Sequence, residues 1–241
     1  MKNRAIKLAA IAGSALFCLG LPAIGQQVSV QFTGGYSTVW GNASGTYGAG
    51  IYSANINGSP SASGIICDDF NDEITSGEKW TANAYQASSL NSSNIGQTMF
   101  GNTIGLTGYA ELGTLVSMMF GNISTYGSIT GITQAELSSA IWDIGLGGTL
   151  QGLDAKATSL VAAVEAAFGA NTSKAQAYLA TLTNLWILTP TPLGPGEPQE
   201  MWTVSVPEGG AALMYLLLAG ASCFGAMFLQ MRRQTAKQLA A

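Results

Sequence analysis

The chain has 241 residues, 47% hydrophobic and 9% charged, with a formal net charge of −4. That length suits one domain once the two ends are set aside, and that hydrophobicity excludes disorder throughout. There is no histidine, which excludes Ser-His-Asp and Cys-His catalysis and the usual zinc sites.

Positive charge gathers at the extremities. Lys2, Arg4 and Lys7 open the chain, Arg232, Arg233 and Lys237 close it, and only Lys79, Lys156 and Lys174 lie between. Nearly all the acids fall in that middle, which would repel a phosphate backbone, so nucleic acid is not an expected partner. The 31 glycines, with frequent Ser, Thr and Asn, suit an extracellular β-rich surface kept soluble by hydroxyls and amides.

Residues 1–25 read as a secretory signal peptide, which implies export machinery and a signal peptidase. Lys2, Arg4 and Lys7 supply the basic start, and Leu8 to Leu21 an apolar core too short to span comfortably. Ala23-Ile24-Gly25 gives the small residues for cleavage before Gln26. Cys18 is not a lipoprotein cysteine, because bulky Phe17 precedes it.

From Gln27 to Trp40 the pattern alternates with strand period, Val28, Val30 and Phe32 on one side, and Gly34-Gly35 interrupts it. Residues 41–50 are Gly-rich and predict turns. A second strand covers Ile51 to Asn57, followed by the turn Asn57-Gly58-Ser59-Pro60. Gly64 to Phe70 predicts a short buried strand carrying Cys67, and Trp80 to Ala87 another.

The middle then takes helical spacing. Leu112, Leu115, Val116 and Met119 mark a helix over Tyr109 to Phe120. Thr133 and Glu136 form a capping box ahead of a second, with Leu137, Ile141 and Ile144 on its stripe, ended by Gly145 and Gly147. Asp154 caps a third, which Gly169 stops. Ser173 and Gln176 predict a capping box for a fourth, running to about Leu182. Strand character returns over Asn184 to Thr189 and, after a Pro/Gly-rich loop, over Glu200 to Val206. This order argues for α+β: a β-sandwich or barrel-like sheet with a helical insertion. The division is 1–25 signal peptide, 26–189 ectodomain core, 190–206 loop and final strand, and 207–241 C-terminal tail.

Within that tail, residues 209–231 carry no charge and are long enough for a transmembrane helix. Arg232, Arg233 and Lys237 form a basic stop on the cytoplasmic side. Just before the stretch stand Val206, Pro207, Glu208 and Gly209. A Pro-Glu motif, one membrane helix and a basic end resemble the PEP-CTERM sorting signal of Gram-negative bacteria, with Gly209 in place of the usual second proline. The resemblance implies an exosortase-like sorting enzyme and delivery to the outer surface or an extracellular polysaccharide matrix.

Cys67 is the single cysteine of the mature middle, because Cys18 leaves with the signal and Cys223 lies in the apolar stretch. A lone thiol in an oxidising compartment has no internal disulfide partner. Ile66-Cys67-Asp68-Asp69 and Ala140-Ile141-Trp142-Asp143 together resemble thioester domains of bacterial surface adhesins. The resemblance implies a Cys on an early strand bonded to the Gln of a Gln-x-Ala-Ile-Trp motif, with the Trp packed beside the bond. Here Ser138 occupies that Gln position, and its hydroxyl cannot supply an acyl carbon. Gln134 lies one helical turn earlier on the same face, which leaves a Cys67–Gln134 bond as an alternative to Gln134 serving only as the first helical residue.

Asp68, Asp69, Asp72 and Glu73, with Asn71 and Glu78, make an acidic run of hard oxygen ligands that suits Ca²⁺. Ile74 and Trp80 break the EF-hand pattern, so a solvated acidic loop is the expectation, with no metal and no cofactor. The tryptophans Trp40, Trp80, Trp142, Trp186 and Trp202 are either core residues or sugar-stacking surfaces. The chain therefore reads as a non-enzymatic, thioester-domain-like surface or matrix protein, acting by adhesion to a polysaccharide or surface ligand, its crosslink lost. The alternatives are an active thioester adhesin using Cys67 and a secreted carboxylate-dependent hydrolase.

Overall fold

The computed structural model describes residues 25–206, apart from 44, 60, 72 and 194–197. The described residues belong to the first of two units, Met1–Val206 and Pro207–Ala241. The expected signal peptide before Gly25, Cys18, Asp72, the sorting residues Pro207, Glu208 and Gly209, the 209–231 helix with Cys223, and the basic tail lie outside them. Among the described residues no helix is long and apolar enough to cross a membrane.

The strands are β1 (Gln26–Gly34), β2 (Thr38–Asn42), β3 (Gly45–Ala49), β4 (Tyr52–Ile56), β5 (Ser63–Cys67), β6 (Lys79–Gln86), β7 (Thr125–Tyr126), β8 (Ile129–Thr130), β9 (Trp186–Pro190) and β10 (Met201–Thr203). The helices are α1 (Gly105–Phe120), α2 (Gln134–Gly145), α3 (Ala155–Phe168) and α4 (Thr172–Leu179). Six strands close a barrel in the order β1-β4-β5-β10-β9-β6, with every neighbouring pair antiparallel. Closure leaves the six strands no free edge. Of the two architectures the sequence allows, the barrel is the one formed. The helices occupy the chain between β6 and β9, so they are the expected insertion.

Alternation along the strands builds two cores on opposite sides of one wall. Val28, Val30, Ala54, Ile56, Ile65, Cys67, Ala82, Leu188 and Met201 fill the inside. Ile66, Ile187 and Trp202 point outward, where Tyr109, Leu112 and Leu115 of α1 and the stripes of the other helices cover them. The helix starts follow the residues that cap them. Thr133 accepts from the Glu136 N–H at 3.2 Å, and the Glu136 carboxylate accepts from the Thr133 N–H at 2.6 Å, a complete capping box. Asp154 Oδ1 accepts from the Lys156 and Ala157 N–H groups.

Two expectations change. The Gly-rich stretch 41–50 is not a run of turns but half of a hairpin, β3 paired to β2 from Thr38↔Ala49 to Asn42↔Gly45. Gly48 answers packing: a Cβ there would lie 2.8 Å from the Tyr36 ring. The fourth helix is capped by Asn171, whose Oδ1 accepts from the Lys174 N–H at 2.9 Å, and ends at Leu179. Ser173 already lies inside the first turn, so it cannot serve as the cap.

Helix α2 approaches the barrel where Gly145 meets the carbonyl of Asp68. A Cβ there would sit 2.3 Å from that oxygen, and a backbone atom on a paired strand end cannot swing aside. Gly145→Ala is expected to lower stability by about 1–3 kcal/mol through overpacking, read as a lower urea midpoint. Wild-type stability in that variant would contradict the close approach of α2 to β5.

Candidate functional site

The site is set by the pairing of β5 with β10. Cys67 is paired with Met201, Ile66 with Trp202 and Ile65 with Thr203. One step further along, Asp68 stands opposite Glu200, and the Asp68 N–H reaches the Glu200 carbonyl at 3.4 Å. Side chains alternate across the wall, so Cys67 and Gln199 share the inner side as diagonal neighbours, while Asp68 and Glu200 share the helix side.

On the inner side the Cys67 sulfur lies 2.9 Å from Gln199 Oε1 and 2.7 Å from the Asp69 carbonyl oxygen. It also accepts from the Asp69 N–H at 3.3 Å. Cys67 is 2% and Gln199 9% exposed. Burial pushes the thiol well up from its ordinary value, and the charge of Asp69 pushes the same way. The sulfur is therefore held as a thiol. The indole N–H of Trp142 lies near enough to the sulfur to favour its charged form, yet Nε1 finds no acceptor at hydrogen-bonding geometry among the described residues.

These residues border a cavity of about 420 Å³, which Phe32, Tyr47, Tyr52, Phe70 and Trp142 wall with rings and Asp69 and Glu73 edge with carboxyl groups. Four rings form a box beside the thiol. Trp40 packs edge-on against Trp142 and against Phe70, each at 5.8 Å, Phe70 lies 5.3 Å from Trp142, and Tyr47 lies 4.6 Å from Phe70. The β2–β3 hairpin brings Trp40 and Tyr47, α2 brings Trp142, and the chain after β5 brings Phe70. Two α2 side chains fasten the hairpin. Ser138 Oγ accepts from the Gly50 N–H at 2.7 Å, and Gln134 Oε1 accepts from the Ser37 hydroxyl.

The residues named from sequence thus separate. Gln134 and Ser138 hold the hairpin, and the structure pairs Cys67 with Gln199 instead of Gln134. The physical reason is position: Gln134 opens α2 at the hairpin, whereas Gln199 leads into the strand beside Cys67. The acidic run divides: Asp68 is 0% and Asp69 2% exposed, whereas Asn71 and Glu73 are exposed, as a solvated loop requires, and Glu78 is half-buried. Among the described residues no group of three acids or thiols comes together as a metal would require. Trp40, Trp80, Trp142 and Trp202 are buried and Trp186 half-buried, which leaves them unsuited to stacking on a sugar in solvent.

Sequence reasoning missed the pair behind the wall. Glu200 is fully buried and accepts from the Met99 N–H at 2.8 Å and from the hydroxyls of Tyr109 and Thr189. Asp68 Oδ2 accepts from the Trp202 indole at 2.7 Å. Its Oδ1 receives no hydrogen from a described residue, and Glu200 lies near enough for each carboxyl to shift the other. Two buried carboxylates in contact cannot both ionise. Burial raises both, the charge of Glu200 raises Asp68 further, and the donors around Glu200 offset its own rise. The donors around Glu200 favour its ionised form, which directs protonation of the pair towards Asp68.

No family model matches the chain, and neither a curated protein nor a solved structure matches it.

The proton on Asp68 links stability to pH. Unfolding returns that carboxyl to its ordinary value of about 3.9, so above that point the unfolded chain binds fewer protons and stability falls as pH rises towards the raised folded value. Glu111, pushed up to about 7 by burial and by Glu165, adds a slope of the same sign. Asp68→Asn keeps a donor to Glu200 without a proton and is expected to flatten the fall between about pH 4 and 7, measured as urea midpoints across that range. An unchanged slope would contradict the shared proton.

Proposed function

We propose that this chain is an exported bacterial surface or matrix protein whose barrel holds an internal thioester between Cys67 and Gln199, and that it attaches covalently to nucleophiles that enter the cavity. The observation that carries this reading is the 2.9 Å contact between the Cys67 sulfur and the Gln199 amide oxygen beside a ring-walled cavity. A buried thiol on an amide has a defined chemistry. The sulfur adds to Gln199 Cδ, the thiol proton passes to the leaving nitrogen, and ammonia departs. One S–H and one C–N bond break, and one C–S and one N–H bond form, with no co-reactant. Holding the two groups in contact supplies the proximity that an amide, a poor electrophile, needs.

The product is an acyl donor kept from bulk water by the box. An amine that reaches Cδ breaks the C–S bond, forms an amide and returns a proton to the sulfur. The event happens once per chain, so the protein is an adhesin and not a turnover enzyme. Export and sorting belong to the same proposal. Support comes from the basic-apolar start of residues 1–25, from Val206, Pro207, Glu208 and Gly209, and from the uncharged 209–231 stretch before Arg232, Arg233 and Lys237. They make a signal peptidase, an exosortase-like enzyme and a membrane the partners in transit.

Intact mass of the purified native protein tests the bond. The expected mass is one ammonia below that of the processed sequence, with no alkylation of Cys67 by iodoacetamide until methylamine is added. Full mass with immediate alkylation in the native state would end the thioester reading.

A further inference from the structure

Among the described residues the Trp142 N–H has no acceptor. The ring is 3% exposed and sits inside the box, where packing alone would accept a phenylalanine. A buried indole N–H normally finds a partner, and leaving one unmade costs about 1–3 kcal/mol. Trp202 shows the ordinary outcome, its Nε1–H donating to Asp68 at 2.7 Å; Trp80 Nε1 is unpartnered as well, but Trp80 does not line the cavity. Trp142 instead lines the cavity with Cys67 and Gln199, and its Nε1 has no hydrogen-bond partner among the described residues.

We propose that the Trp142 indole N–H is the donor that receives negative charge at the Cys67 sulfur, both when the thioester forms and when a nucleophile opens it. This role rests on the thioester reading above. Before the bond forms, the sulfur is a neutral thiol and a poor acceptor, so the donor waits unpaired. As an incoming amine expels the sulfur, the C–S electron pair moves onto a thiolate in a dry site. The surroundings there oppose it: Asp69 is adjacent, Glu73 edges the cavity, and the Tyr52 hydroxyl is bonded to the Gly48 carbonyl. The Asp69 N–H already donates to the sulfur at rest, so the indole is the donor still unused when charge develops, and the proton released from the amine completes the thiol. A donor that strengthens only as charge develops speeds the step without stabilising the resting state.

The test removes the N–H and keeps the ring. Replacing Trp142 with benzothienylalanine in the full chain exchanges N–H for sulfur at nearly constant shape, and Trp142→Phe serves as a second variant. Opening by methylamine, followed by mass, is expected to slow about tenfold or more in both. In a Gln199→Ala background, which leaves the thiol free, the pH midpoint of Cys67 alkylation is expected to move up when the N–H is lost; a merely structural ring would not move it. Equal opening rates and equal midpoints at wild-type melting temperature would overturn the role of Trp142 while leaving the thioester intact. A wild-type chain at full mass would overturn the thioester itself, a result distinct from the first.

Discussion

The register of β5 on β10 is the constraint from which the site follows. With Cys67 opposite Met201, the alternation of side chains sends thiol and amide to one side of the wall and two carboxyl groups to the other. A slip by one residue would exchange the faces, burying the carboxyl groups among the barrel's apolar residues and turning the thiol towards the helices. The strands are short, β10 having three residues and β5 five, so ladder hydrogen bonds alone specify the register weakly. The Asp68–Glu200 pair, with its ring of donors from Tyr109, Thr189, Met99 and Trp202, supplies what the short ladder lacks.

Each side of the wall then has its own electrostatic logic. Behind it, one proton serves two carboxyl groups and the donors leave Glu200 satisfied, an arrangement that tolerates burial because only one charge is present. In front of it no cation approaches the sulfur among the residues that shift it, and nearby acids and apolar rings keep the thiol protonated. That is the opposite of a redox or protease cysteine, whose surroundings favour thiolate. A neutral thiol in contact with an amide fits an intramolecular reaction in which the thiol's own proton is needed by the leaving group.

Much of the fold was legible because periodicity and caps act locally. Val28, Val30 and Phe32 announced a strand, and the Thr133–Glu136 box and Asp154 fixed helix starts to the residue. The hairpin was hidden because a glycine that clears space for Tyr36 looks like a glycine that makes a turn. The site was half legible. Cys67 and Trp142 stood out by scarcity and by motif, while Gln199 did not, since the final strand was read from Glu200 onward. The signal was present in the alternation: Met201 and Trp202 have opposite fates, and projecting that parity back two residues places Gln199 with the inward set. The closed order of the barrel, which makes β5 and β10 neighbours, is a tertiary fact that no local pattern carries.

Cys67 and Gln199 are 132 positions apart, and the whole helical excursion lies between them. A covalent link at that point would cyclise most of the described chain and deprive the denatured chain of conformations, an entropic staple worth about 5 kcal/mol for a loop of that order. Such a staple cannot set during synthesis, because the ends of so long a loop meet only after the barrel has closed. Capture of a nucleophile would undo it. Attachment and slackening would thus be one event, and a spent molecule would be mechanically softer than one still waiting to react.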